Sequence, residues 1–334
     1  MKYSSNLPLS ISVYLVDDVY SDTENTHYEN VISATTLLKS VRQLILTKRA
    51  ASENALKVVD ASELIARRMG TSIHDGIESA WSRYRENMAK LTSYMKPEVI
   101  ERIKVNPERL EDVGEGDIPI YIEKRSYRPL RVSDELFTIS GKFDFLCDGV
   151  LEDMKTTSPY TYTSGNKDDQ YILQASIYRW LNPLIVTEDY FLINFIFTNW
   201  DALKAKTQEG YPQSRILSKK YLLMSLNETE KFIRDKLLTF VHFKNIQESD
   251  LPPCTDKELG RSAPIYKYYA DPSKLARSTK NFSDYNEAMQ HQVNKGKGIV
   301  IKKEGTVFAC RYCDGFSLCT QKDKYIASGE LVLD

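Results

Sequence analysis

Gly141-Lys142-Phe143-Asp144-Phe145-Leu146-Cys147-Asp148-Gly149-Val150-Leu151-Glu152-Asp153-Met154-Lys155 is two alternating runs joined by Asp-Gly. Asp-Gly between such runs is the strongest short-range hairpin signal and favours a two-residue type I′ loop. That loop pairs Cys147 with Val150, Leu146 with Leu151 and Phe145 with Glu152. Continued by three residues, the register sets Asp144 opposite Asp153 and Lys142 opposite Lys155. Like charges directly across a ladder are destabilising, so opposed aspartates call for a cation between them. Mg²⁺ or Mn²⁺ suits such oxygen ligands. Period two puts Asp153 and Lys155 on one face, where a lysine beside a metal can orient or deprotonate the attacking water and stabilise developing charge. The competing reading is a solvated hairpin whose carboxylates pair with neighbouring lysines.

Outward from the hairpin the pattern is mixed. Upstream, a strand-like alternation spans residues 9–16. A helix over 31–49 carries Leu37, Leu38, Val41 and Ile45 after a cap at Ser33-Ala34-Thr35-Thr36. A helical tract covers about 61–91, interrupted at Gly70-Thr71-Ser72, which caps a fresh helix near Ile73. From Ile118 the period becomes two: Ile118–Ile122, Leu136–Phe145 and Val150–Lys155 read as strands. Downstream come a helix at about 170–181, a nearly continuous apolar strand Tyr190–Thr198 of the kind buried on both faces, and a helix over about 219–245. This order predicts a mixed α/β fold in three parts: an N-terminal strand and helix (1–60), a catalytic core (61–250) and a C-terminal module (251–334).

Of 334 residues, 45 are Lys or Arg and 46 Asp or Glu, a net charge of -1, so any nucleic-acid surface must be local. No apolar run reaches the roughly 18 residues of a membrane span, and the N-terminus does not read as a secretory signal. Three of five cysteines crowd into Cys310, Cys313 and Cys319, which points to a thiolate metal site in a reducing, cytoplasmic compartment rather than a disulfide scaffold. Cys254 makes a fourth ligand, while parity assigns Cys147 to the core. Four thiolates suit Zn²⁺ or a [4Fe-4S] cluster. Tyr266-Lys267-Tyr268-Tyr269 and the segment Lys274–Phe282 interleave cations with aromatics, as a single-stranded DNA track does, or form a solvated face. Gly296-Lys297-Gly298 reads as a turn, not a nucleotide phosphate loop, and no ATPase signature indicates a helicase.

Gly141-x-x-Asp144, Asp153-x-Lys155 and a helix carrying Gln174-x-x-x-Tyr178 together resemble the PD-(D/E)XK nuclease superfamily in its RecB-like exonuclease branch. Gly70-Thr71-x-x-His74-x-x-x-Glu78 matches that branch's upstream helix. The resemblance covers roughly residues 70–180. It implies a restriction-endonuclease-like mixed sheet flanked by helices, with a small cysteine-ligated C-terminal module. It further implies that His74, Asp144, Asp153 and the Met154 carbonyl hold Mg²⁺ or Mn²⁺, that Lys155 is the catalytic lysine, and that Gln174 and Tyr178 contact the DNA strand or the active-site water. The Cys-x2-Cys-x5-Cys triplet is similar to that of iron-staple nucleases of the AddB and CRISPR-associated exonuclease type, which favours [4Fe-4S] over structural Zn²⁺. This chain departs from them in having no cysteine before the core, Ser40-Val41-Arg42 standing where one is expected, so Cys254 would substitute. The implied activity is metal-dependent exonuclease action on DNA ends in recombination, repair or phage DNA metabolism, with single-stranded or free-ended DNA and a helicase or recombination protein as partners. The alternatives are a DNA-end-binding subunit with little turnover and a structure-specific endonuclease.

Overall fold

The computed structural model describes residues 2–17, 28, 30–91 and 95–333. In chain order the elements are β1 (Lys2–Ser4), α1 (Leu9–Val16), β2 (Val31–Ser33), α2 (Ala34–Leu37), α3 (Val41–Ser52), β3 (Val58–Asp60), α4 (Ile65–Trp81), α5 (Tyr84–Met88), α6 (Pro97–Glu101), β4 (Ile103–Val105), β5 (Ile118–Val132) and β6 (Glu135–Cys147). They continue with β7 (Val150–Thr157), α7 (Pro159–Ser164), α8 (Asp168–Leu181), β8 (Tyr190–Phe197), α9 (Ala202–Thr207), β9 (Ile216–Leu222), α10 (Leu226–Phe243), β10 (Ile265–Tyr269), β11 (Lys280–Phe282), α11 (Tyr285–Lys295), β12 (Ile299–Lys303) and α12 (Gln321–Ala327).

Two compact units divide the chain: residues 3–38 with 58–238, and residues 1–2 with 39–57 and 239–334. This differs from the sequence division at 60 and 250, because α3 packs with the C-terminal cysteine loop. A Cβ on Gly315 would stand 2.6 Å from Leu46 Cβ of α3, too close for any residue but glycine.

The first unit is a mixed α/β layer. Its seven-stranded sheet runs β4-β5-β6-β7-β8-β9, with β2 pairing β6 off that path. β4 with β5, β7 with β8 and β2 with β6 are parallel, and the other pairs antiparallel. The Asp-Gly loop takes the two left-handed residues that type I′ demands, Asp148 at φ 47° and Gly149 at φ 84°. It fixes Cys147↔Val150, Leu146↔Leu151 and Phe145↔Glu152.

The β6–β7 ladder ends at Phe145↔Glu152, so Asp144 does not face Asp153 across it, nor Lys142 face Lys155. Higher up, β6 pairs β2 through Thr138, Ile139 and Ser140, while β7 pairs β8. Residues 141–144 therefore border a fork between β2 and β7. Strand parity also breaks there: Phe143 packs on Tyr178 of α8, whereas Phe145 packs on Trp81 of α4.

Other expectations change too. Residues 9–16 form α1 rather than a strand. The Pro8 carbonyl accepts the Ile11 and Ser12 N–H groups at 3.0 and 2.9 Å, closing the first helical turn, and Ser12 Oγ bonds to the same oxygen at 3.2 Å. Ser33 does cap a helix, but only the four-residue α2, and Ser40 caps α3 afresh. Gly70-Thr71-Ser72 does not interrupt α4: Thr71 Oγ1 bonds to the Arg67 carbonyl at 3.2 Å within the helix instead of capping a new one. Residues 219–222 belong to β9, and the helix begins only at Leu226. β8 alternates buried and half-buried positions instead of burying both faces.

In the second unit, β11-β10-β12 form a small antiparallel sheet. The aromatics expected to line a DNA track pack inward: Tyr268 and Tyr269 are buried, and Tyr268 and Phe282 meet His291 of α11. Among the described residues no helix is long and apolar enough to cross a membrane.

Candidate active site

The fork at 141–144 gathers ionisable groups from four elements. Asp144, denied a ladder partner on that edge, turns its carboxylate to the β7 backbone, where Oδ2 accepts the Met154 N–H at 3.0 Å. His74 comes from α4, where Gly70, His74 and Glu78 share a face at i, i+4 spacing. Its Nε2 is 3.1 Å from the Met154 carbonyl oxygen, and its Nδ1 is 3.5 Å from Asp144 Oδ2. On β7, Asp153 Oδ2 lies 2.6 Å from Lys155 Nζ, and Lys155 Nζ stands 5.6 Å from the centre of the Tyr171 ring of α8. Asp144 and Asp153 are near enough for the charge of one to raise the pKa of the other.

Sequence reasoning missed Glu123. It lies on β5 opposite Asp144, between the pairs Ile122↔Phe145 and Lys124↔Phe143, and leaves the ladder at φ 50°. A glutamate in the left-handed region is strained by about 1–2 kcal/mol. Its Oε2 pairs with Lys142 Nζ at 2.6 Å, and its Oε1 is 4.0 Å from His74 Nδ1. Among the described residues, His74, Glu123 and Asp144 form the one set of three such donors lying within 4.8 Å of one another. Nothing in the local sequence flags Glu123, because its partner positions come from α4 and β6.

The electrostatics are those of crowded carboxylates sharing few cations. Burial pushes Asp153 up to about 6, opposed by the Lys155 ammonium and reinforced by Asp144. Burial also raises Glu123, against the Lys142 hydrogen bond. Asp144 goes the other way: burial acts to raise it, but the His74 hydrogen bond and charge, Lys155 and the Met154 N–H outweigh that and hold it low. His74 is raised, first by its hydrogen bond to Asp144, against burial. Burial alone would lower Lys155, yet the Asp153 and Asp144 charges win and raise it.

The remaining motif residues fall into place around this group. Gln174 Nε2 donates to Tyr178 Oη at 2.8 Å. Tyr178 is 6% exposed, its ring lying against Gly141 and Phe143. It is therefore not placed to touch a DNA strand, and it orients Gln174 instead. The motif glycine follows from the same packing: a Cβ at Gly141 would lie 2.7 Å from Leu181 Cδ1 and 2.9 Å from the Tyr178 ring. Glu78 is exposed, and Thr71 spends its hydroxyl inside α4.

A second constellation lies within the other unit. Cys310 lies in a 3₁₀ turn (Ala309–Tyr312) that ends at Cys313, Cys319 ends the next such turn (Phe316–Leu318), and Cys254 follows Pro252-Pro253. All four are half-buried thiols. Burial first, then the other three thiols, raises Cys310 to about 12, and burial with Cys319 and Cys254 raises Cys313 to about 11. Four gathered thiols, three of which (Cys254, Cys310 and Cys313) are raised by burial and by neighbouring thiols, are a donor set suited to a thiophilic metal, which would hold them as thiolates. Here too α3 supplies polar neighbours the sequence did not foretell. Ser40 Oγ is 3.1 Å from Cys254 Sγ, and Arg42 Nε donates to Cys319 Sγ at 3.4 Å while the same guanidinium pairs with Glu248. Cys147 is half-buried beside the Ile103, Ile120, Ile122 and Phe145 core, as parity expects.

No family model and no curated protein sequence matches this chain. Among solved structures, a protein designated SSO0001 is 14% identical, with a TM-score of 0.39 over 68% of this chain and 83% of its own. A phage-related exonuclease from Haemophilus somnus 129PT is 15% identical, with a TM-score of 0.26 over 65% of this chain and 96% of its own. Both scores lie below 0.5, and the functional reading rests on the chain's own geometry.

Proposed function

We propose that the chain is a Mg²⁺- or Mn²⁺-dependent deoxyribonuclease that hydrolyses phosphodiester bonds at DNA ends. The observation that carries this reading is the convergence, at one strand fork, of His74, Asp144 and the Met154 carbonyl with the Asp153–Lys155 pair beside them. A hard dication fits this donor set of carboxylates, a carbonyl and an imidazole. Asp153 adds a further buried carboxylate to the set, its Oδ2 held 2.6 Å from Lys155 Nζ. His74, Asp144, Asp153 and the Met154 carbonyl would hold the ion, with Glu123 a further carboxylate within reach. When bound, such an ion polarises the phosphoryl oxygen and brings the pKa of water towards neutrality.

The chain's own residues do the rest. Lys155, held protonated by two carboxylates, serves as a hydrogen-bond donor and positive charge toward the phosphoryl oxygens and the attacking water. It is not the resting base, because its pKa is raised rather than lowered. Met154 N–H and His74 fix the Asp144 carboxylate in place, and Tyr178 holds the amide of Gln174. Lys142 Nζ pairs with Glu123 at 2.6 Å and balances part of the carboxylate charge around the site.

In the separate unit, Cys254, Cys310, Cys313 and Cys319 are proposed to hold a structural [4Fe-4S] cluster, with Zn²⁺ as the competing occupant. The nuclease reading is tested by incubating end-labelled linear single- and double-stranded DNA, and a closed circle, with Mn²⁺ or EDTA. Wild type is compared with Asp153→Ala and Lys155→Ala. Degradation of linear DNA alone, abolished by EDTA and by either substitution, is expected. Degradation that survives both substitutions refutes the site. Cutting of the circle makes the protein an endonuclease, and binding without turnover makes it an end-binding subunit.

A further inference from the structure

A cleft of about 570 Å³ opens on the first unit between α7, α9 and the strand β9, lined among others by Tyr160, Tyr162, Lys204, Gln208, Tyr211 and Lys219. We propose that it is a binding subsite for single-stranded DNA, taking the nucleotides next to the one at the reacting centre. The inference rests on the nuclease reading for its direction but on separate residues for its chemistry.

Three observations carry it. First, the cleft offers open aromatic surface: Tyr160, in its lining, is 69% exposed, so its ring face is free to stack. Tyr162 and Tyr211 are fixed beside it, Tyr162 edge-on to Phe195 and Phe197 at 5.3 and 5.7 Å and Tyr211 by accepting the Asp201 N–H at 3.0 Å. Second, cations stand among the rings. Lys219, tethered 2.7 Å from Asp168, lies 5.9 Å from the Tyr162 ring, and Lys204 is exposed on α9, whose start Asp201 caps. Bases stacking on aromatics while phosphates meet cations is how single strands are gripped without sequence readout. A duplex hides its base faces and has no use for exposed rings.

Third, the cleft continues the strand that carries the reacting groups. Tyr160 is five residues beyond Lys155 on the same run of chain, and Tyr162 packs on Phe195, which pairs with Lys155 in the β7–β8 register. Five residues at about 3.3 Å each put the cleft within roughly 17 Å of Lys155, a span of a few nucleotides. Its volume falls inside the range of about 300–1,000 Å³ typical of ligand sites.

The test is fluorescence anisotropy with labelled oligo-dT and with a blunt duplex of the same length, in EDTA so that nothing is cleaved, followed by Mn²⁺-dependent cleavage of the same oligonucleotides. Tyr160→Ala is expected to weaken oligo-dT binding by about 5- to 100-fold, with Tyr160→Phe restoring it because the ring alone stacks. Duplex affinity is expected to change less than twofold. Lys204→Ala is expected to reduce the salt dependence of oligo-dT binding by about one ion. Unchanged oligo-dT affinity in Tyr160→Ala, an equal loss for duplex, or no wild-type binding to oligo-dT overturns the subsite. Tyr160-dependent binding by a protein that never cleaves leaves the subsite standing and removes the nuclease reading. Cleavage that proceeds with Tyr160-independent binding does the reverse.

Discussion

Replacing Gly141 by alanine tests whether the motif glycine exists to let α8 close on β6. The added Cβ would sit 2.7 Å from Leu181 Cδ1 and 2.9 and 3.0 Å from Cδ1 and Cε1 of the Tyr178 ring. Carbon atoms rest comfortably at about 3.5–4.0 Å, so α8 must retreat by roughly 0.5–1 Å or two buried side chains must repack. Overpacking of that kind costs about 1–3 kcal/mol, which lowers the melting temperature by roughly 3–10 °C for a unit of this size. Tyr178 would carry Gln174 with it, so cleavage measured well below the melt should also slow. Gly70→Ala is the control. It belongs to the upstream motif, yet nothing lies within 4 Å of its Cβ and it sits inside α4. Alanine there is expected to raise stability by up to about 1 kcal/mol, because glycine is the poorer helix former. Differential scanning calorimetry of both variants decides the matter. If Gly141→Ala melts at or above wild type, or the two glycines respond alike, the packing account of the motif is wrong.

Three further outcomes follow from the charges. Asp153 is a carboxylate raised from 3.8 to about 6, so the protonated folded form is favoured: its stabilisation is full below pH 3.8 and lost as pH rises through 6. In EDTA, wild type should therefore lose stability relative to Asp153→Asn by roughly 3 kcal/mol between pH 3.5 and 7.5, read from urea denaturation, and a pH-independent difference refutes the assignment. Loading of Mn²⁺ should weaken from pH 8 to pH 6 by isothermal titration calorimetry, because His74 and Asp153 must release protons to become ligands. Glu123→Gln should diminish the melting-temperature rise that Mn²⁺ produces, whereas a purely structural Glu123–Lys142 pair predicts a lower metal-free melt and an unchanged Mn²⁺ increment. In the cysteine unit, anaerobically purified protein should be brown, and Cys313→Ser should bleach it with loss of iron. A colourless protein with one equivalent of zinc would establish the other metal.

The hairpin was legible because its determinants are local. Asp148-Gly149 dictates the loop, and the loop dictates the register of the next three pairs by chain geometry alone. The residue types at 144, 153 and 155 and the cysteine spacing were equally open to reading, since each is a short-range pattern. What tertiary structure decided is where those side chains point. The fork that turns Asp144 away from the ladder arises because β2 and β7 compete for one edge of β6. Glu123 enters the site only because β5 distorts opposite that fork, and Ser40 and Arg42 reach the thiols only because α3 packs with a segment more than 200 residues later. Helix against strand at residues 9–16 was likewise undecidable from periodicity, because a short run with one buried side chain carries too little apolar burial to outweigh the contacts around it.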